Sequence, residues 1–408
     1  MTNKYIISIH LLGIALVASF IPYKIYPIVY ILCGMIFFSF GITKRNFFMA
    51  FFSLLYCFYC FIIYFVSNDN DESTLAITKL AFNGGFFIII CVAAVFSQRD
   101  VSDYIKFRTL HILERYLATI VILSLIQVTL LQLISGGIRF SSDSSYTAGL
   151  MFTDHTIFWG VQDKNIMGAK IALFGFLHAY VYYRLKNKIN YFFGAIYVLC
   201  SAMTLSRTSL LLSFLTFFLL VFLIIKPIYR YYIIIPLVIL GGIIAFPKLA
   251  ELVRLDSITN VSRDDGMGIR ILFWTAFFSR ISDVSFWGNG LLSASDFLGR
   301  YSVTGSANNM HNLYINNFLD LGVPGSLFYF GFLISMYILI YKRTRDLKNT
   351  ILMLAPIFVI TNTLYTGYDN DTWMYYSVVF VLSNIQFSNK GLTKFIPNHE
   401  KKKKNDNE

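Results

Sequence analysis

The chain has 408 residues, of which 56% are hydrophobic and only 14% charged, with 41 Phe and 27 Tyr and a mean hydropathy of +0.62. That composition excludes a soluble globular fold of this length and predicts an integral membrane protein. The net charge of +12 would point to nucleic acid only if Lys and Arg gathered on a soluble face. They sit instead in short stretches between apolar runs, so their positions relative to a membrane matter and no nucleic-acid partner is expected.

In chain order, a window of about 20 apolar residues predicts twelve spans. They lie near 5–21, 25–42, 47–66, 75–96, 116–135, 166–183, 191–206, 208–225, 231–247, 325–341, 350–367 and 372–388. The first run lacks a small-residue cleavage site behind it and reads as a retained span. The five Cys all fall inside apolar runs and read as small buried hydrophobes, so the Cys57 and Cys60 spacing is not taken as a metal or redox pair.

Basic residues set the orientation. Lys4, "TKRN" at 43, Arg99 to Arg115, "RLKNK" at 184, "KPIYR" at 226, "YKRTRDLKN" at 341 and the "KKKK" tail mark every second loop, and that side, with Lys390 and Lys394, holds 22 of the 34 Lys and Arg. By the positive-inside bias that side is cytoplasmic, and with it both termini. The division that follows is 1–135 as N-terminal spans, 136–165 as an outer loop, 166–247 as spans, 248–324 as a large outer loop, 325–388 as C-terminal spans and 389–408 as a basic cytoplasmic tail. In the large loop, "GIRILFWTAFFSRI" at 268–281 places Arg270, Trp274, Phe277 and Ile281 at i, i+4, i+7 and i+11, one face of a helix lying over the bundle or on the membrane surface.

Three basic groups on the outer side stand out. Arg207 falls at the junction of two spans, Arg270 lies on the aromatic face of its helix, and His311 sits among amides in "NNMHNLYINNFLDLGVPG". Singly each has an ordinary reading: an Arg reaching headgroup phosphate, a guanidinium stacked on Trp274, a hydrogen-bonded loop His. Together, two guanidiniums suit phosphate oxygens, and a His beside them stays neutral and able to accept a proton.

The segments "LSRTSLL" (205–211), "GIRILFWTAFF" (268–278), "FWGNGL" (286–291) and "HNLYINNFLDLGVPGSLFYF" (311–330), in that order, resemble the O-antigen polymerase and O-antigen ligase family of bacterial envelope enzymes. The resemblance covers roughly 140–340. It implies an all-α polytopic glycosyltransferase, GT-C-like, of the bacterial inner membrane, with a large periplasmic loop carrying amphipathic helices. It further implies substrates carried on undecaprenyl pyrophosphate, transfer without a metal or other cofactor, and a separate partner that sets chain length.

Carried over residue by residue, the family's two essential arginines correspond to Arg207 and Arg270 and its essential histidine to His311. Asn308, Asn309 and Asn312 could then meet sugar hydroxyls, with helix capping as the competing role. Lys164 and Asn165, in "GVQDKNIMG", resemble a polar element ahead of a span in polymerase-like members, although a lysine there is ordinarily an interfacial anchor. Asp264 and Asp265 offer a weak cation site or simply a turn. Lys79 and Lys170 are costly inside spans, and the sequence names no partner for either. "LGVPG" is expected to turn the chain from a surface helix into a span, with Pro324 in its first turn. The first expectation is an O-antigen polymerase. An O-antigen ligase that delivers the glycan to lipid A core shares every motif, and a flippase of lipid-linked units is the reading from another class.

Overall fold

The computed structural model describes residues 2–21, 26–38, 47–67, 101–140, 164–225, 227–229, 232, 236, 239, 266–301, 309–364 and 370–385. Every regular element among them is helical. The main helices are α1 (Thr2–Ala18), α2 (Tyr26–Phe38), α3 (Phe47–Ser67), α4 (Asp103–Ile134), α5 (Lys164–Lys186), α6 (Tyr191–Met203), α7 (Arg207–Ile224), α8 (Gly266–Ser279), α9 (Ala294–Arg300), α10 (Leu313–Thr344), α11 (Leu347–Thr363) and α12 (Asn370–Asn384).

Side-chain oxygens start several of them. Ser102 accepts from the Ile105 N–H ahead of α4, Asn190 from Phe193 ahead of α6, and Asn312 from Tyr314 and Ile315 ahead of α10. Each satisfies a backbone donor that the first helical turn leaves without a carbonyl.

Four helices are long and apolar enough to cross a bilayer: Phe47–Val66, Asp103–Ile134, Lys164–Lys186 and Leu313–Thr344. Others, such as Tyr191–Met203 and the apolar stretch Arg207–Phe222, are apolar but shorter. At 1.5 Å per residue, α6 reaches only about 20 Å against a hydrocarbon core of about 30 Å. It is cut short because Thr204, Leu205 at φ 57° and Ser206 turn the chain straight into α7. α4 errs the other way: its 32 residues begin at Asp103, well before the expected 116. The expected spans at 75–96 and 231–247 lie outside the described residues, apart from Tyr232, Pro236 and Ile239.

α5 is the central pillar. Its residues from Met167 to Val181 are all buried, with α4, α6, α7, α11 and α12 packed around it. A helix apolar on every side belongs in the middle of a bundle. Small residues let its neighbours close in: a Cβ on Gly168 would stand 2.5 Å from Ser209 Oγ and 2.6 Å from Thr204 Oγ1. On the far side α3 packs along α10, and α10 in turn contacts α11 and α12.

Lys170, which the sequence left without a partner, pairs with Asp371 at the start of α12. Nζ lies 3.3 Å from Oδ1, and both side chains are 4% exposed. The ammonium also donates to the Ser19 carbonyl at the end of α1 and sits 4.6 Å above the Phe20 ring. One buried cation thus joins three helix ends, the geometry a buried charge needs to be tolerated. Cys33, Cys57, Cys60 and Cys200 are free thiols, and Cys91 lies outside the described residues.

Candidate functional site

A cap of short helices closes the bundle where α10 begins. α8, a 3-10 turn at Ile281–Asp283, α9 and the first limb of α10 enclose a small core of Phe273, Phe277, Phe297, Leu298, Met310 and Leu319. The expected helical face of Arg270, Trp274, Phe277 and Ile281 is only partly met. α8 ends at Ser279, so Ile281 falls in the following turn and is exposed, and Phe273 takes the inward position beside Phe277. Trp274 is half-buried and donates its indole N–H to the Met310 carbonyl at 2.9 Å. Arg270 does turn inward and is 9% exposed.

α10 is two helical limbs that meet at Gly322, where φ is 61° and ψ −157°. The turn expected at "LGVPG" is therefore present, with Pro324 just beyond it. The conformation suits glycine, and space demands it as well: a Cβ on Gly322 would stand 2.2 Å from the Phe286 carbonyl oxygen, and one on Gly288 would stand 2.3 Å from that of Asp320. The "FWGNG" loop is bonded across this corner, Val323 N–H donating to Phe286 O at 2.9 Å and Gly290 N–H to Asp320 O at 3.1 Å.

Beneath the corner lies a buried polar chain that the sequence reading missed. Asp320, fully buried, accepts from Ser293 N–H at 3.1 Å and Ser293 Oγ at 2.9 Å through Oδ1, and from Asn316 Nδ2 at 3.2 Å through Oδ2. Asn316 Oδ1 accepts in turn from the Met310 N–H at 3.0 Å. The i, i+4 spacing of Asn316 and Asp320 was the visible signal, since that spacing puts both on one helical face. Asn317, one residue on, accepts from the Tyr56 hydroxyl of α3 at 2.9 Å.

This chain fixes the segment that carries His311. The residue is left-handed, at φ 50°, and its N–H donates to Asn309 Oδ1 at 2.9 Å. Asn312 caps α10 with its oxygen and donates through Nδ2 to the Asn362 carbonyl at 3.1 Å. Asn309 and Asn312, two of the three amides expected to meet sugar, are therefore engaged in holding the loop. The imidazole lies nearly parallel to Phe273. Burial, reinforced by the Arg270 cation, lowers its pKa to about 4, opposed by a hydrogen bond to the Leu364 backbone. Its Nδ1 is buried and makes no hydrogen bond. In a neutral imidazole one nitrogen carries the proton and the other a lone pair.

A second set of candidates stands at the starts of α7 and α5, two helices that pack on one another. Arg207 is the first residue of α7, while Lys164 and Asn165 open α5. Ser209, one turn into α7, donates to the Asn165 carbonyl at 3.5 Å and pairs with Ser206 at 2.9 Å. α11 links the groups. It packs on both α5 and α7, and its C-terminal end supplies Asn362 and Leu364 to Asn312 and His311. An apolar side groove between α10 and α11, lined by Tyr314, Phe330, Tyr337, Phe358 and Asn362 among others, opens beside this junction. Among the described residues, no three His, Cys, Asp or Glu side chains gather as a metal site. Asp264, Asp265, Asn308 and Lys79 lie outside those residues.

The fold and site define an all-helical membrane protein in which a buried Arg and a neutral His share a polar cap at one end of the bundle. Residues 192–330, which hold Arg207, Arg270 and His311, match a family model described as O-antigen ligase. The match agrees with the resemblance to the O-antigen polymerase and ligase family. No curated protein matches the chain.

Proposed function

We propose that the protein is a polytopic glycosyltransferase of the bacterial inner membrane. It moves a growing glycan from undecaprenyl pyrophosphate to a new undecaprenyl-pyrophosphate-linked repeat unit at the periplasmic face, as an O-antigen polymerase does. The observation that carries this is a His311 held neutral in the cap by burial and by the field of the Arg270 cation. An acceptor hydroxyl attacks the anomeric carbon of the donor glycan and gives its proton to the unprotonated ring nitrogen of His311. The bond from that carbon to the pyrophosphate oxygen breaks, and the negative charge leaves on the pyrophosphate. Arg270 and Arg207 stabilise that charge, since guanidiniums match phosphate oxygens in pairs.

The low pKa of His311 fits this order of events. Before substrate binds, burial and, after it, the Arg270 cation keep the ring unprotonated, so the base is ready. A pyrophosphate against Arg270 cancels the cation's repulsion and raises the basicity of the ring when a proton must be taken. The apolar groove between α10 and α11 suits the polyprenyl chain of a lipid-linked donor, and Lys164 and Asn165 are the nearest candidates on α5 for its glycan. A separate regulator of chain length belongs to this reading as a partner.

The family description favours one second reading, a ligase that transfers the finished glycan to lipid A core. Incubating the purified protein with a single lipid-linked repeat unit and separating the products on a gel decides between them. A ladder supports polymerase, and product only after lipid A core is added supports ligase. Unchanged substrate that has merely crossed a vesicle means a flippase and overturns both.

A further inference from the structure

We infer that Phe286 and Trp287 are an aromatic anchor, inserted into the bilayer leaflet on the side of the cap. The pair is apolar, packed edge to face with ring centroids 5.0 Å apart, and exposed to 57% and 62%. Two large aromatic rings turned outward side by side are costly in water, at about 25 cal/mol per Å² of apolar surface left wet. Their setting gives them a different surrounding.

Depth is fixed by α3. The Tyr59 hydroxyl donates to the Trp287 carbonyl at 2.7 Å, and Tyr59 stands seven residues before Val66, the last residue of that candidate span. At 1.5 Å per residue the Trp287 backbone is held roughly 10 Å below the end of an apolar helix. The turns of α3 above it show Phe61, Ile62, Phe65 and Val66 to the outside, which is a lipid-facing surface. Phe286 and Trp287 continue that surface sideways onto the cap.

The mounting is rigid. The Phe286 carbonyl takes the Val323 N–H and the Trp287 N–H bonds Ser285 Oγ, while Gly322 allows the loop to lie directly on the corner of α10. From Pro324 to Thr344 the second limb of α10 is about 31 Å long, close to the hydrocarbon thickness. The corner therefore sits in the outer part of the leaflet, the depth at which the Tyr59 bond also holds it, and Trp suits that depth because its ring is apolar and its indole N–H polar. An anchor there ties the cap that carries Arg270 and His311 to the leaflet.

The test uses the full-length protein in vesicles and compares it with Trp287→Phe, so that the difference in fluorescence belongs to Trp287. Lipids brominated on the acyl chain are expected to quench most of that difference emission, bromines near the glycerol more than bromines near the chain end, while iodide in the buffer leaves it intact. Quenching by iodide and not by bromine would place Trp287 in water and overturn the inference. Quenching by neither would mean that another part of the chain or a second copy covers it, and would overturn it equally. Should Trp287→Phe lower the melting temperature, Phe286→Trp adds a second reporter at the neighbouring position with the same readout. None of these outcomes depends on which transfer reaction the protein catalyses.

Discussion

The imidazole of His311 lies along the ring of Phe273, with planes 7° apart and centroids 6.3 Å apart. Phe273 and Arg270 are three residues apart on α8, so one turn of helix supplies both the apolar wall and the cation that keep this histidine neutral.

That environment predicts the acid limb of activity. If His311 takes the proton, kcat/KM falls on acidification with a midpoint near pH 4 rather than the ordinary 6.5. Stability follows the same shift. The folded pKa is depressed, so the unfolded chain gains the proton first, and stability is complete above pH 6.5 and drains away as pH falls towards 4. His311→Gln should flatten this part of the melting-temperature profile. A profile identical to wild type would show that another group titrates.

Arg270→Ala and, separately, Arg207→Ala should cut the transfer rate by on the order of 10²–10³-fold, the loss typical of removing one donor to a developing oxyanion. Protein level in the membrane should stay near wild type. Full activity in both variants would remove the pyrophosphate site.

The Lys170 and Asp371 pair should behave as a buried salt bridge. Asp371→Ala leaves an ammonium buried among α1, α5 and α12 and should destabilise the protein by about 3–5 kcal/mol. Lys170→Met combined with Asp371→Leu removes both charges and should recover most of the loss. Melting temperatures of the wild type, Lys170→Met, Asp371→Leu and the double variant in one detergent close the cycle that measures the coupling.

Gly322→Ala should be poorly tolerated, because its Cβ would meet the Phe286 carbonyl at 2.2 Å in a left-handed conformation. Backbone strain of this kind costs roughly 1–3 kcal/mol, and the clash adds to it. Limited proteolysis should then cut within 284–293 before it cuts in the spans. Unchanged proteolysis would mean that the loop is held some other way.

Transfer should survive EDTA, as the resemblance implies. Activity lost to the chelator and restored by Mg²⁺ would move attention to Asp264 and Asp265.

The sequence by itself determined that the chain is helical and built for a membrane, since no soluble fold could hide so much apolar surface. It also marked Arg207, Arg270 and His311, because charge beside apolar runs is conspicuous, and it placed the corner at "LGVPG" from the chemistry of glycine and proline. Which groups meet was decided only by tertiary structure. Asp371 lies 201 residues beyond Lys170 and answers its charge through packing of α12 on α5. Asp320 finds its partners only when the loop carrying Ser293 folds onto it. Helix lengths were also misjudged, because hydropathy measures the apolar run whereas a helix ends where a cap or turn takes its hydrogen bonds, as at Ser102 and Leu205. A periodic pattern names the faces of a helix, but what each face touches depends on partners distant in sequence, and these are brought close by burial and close packing rather than by any local signal.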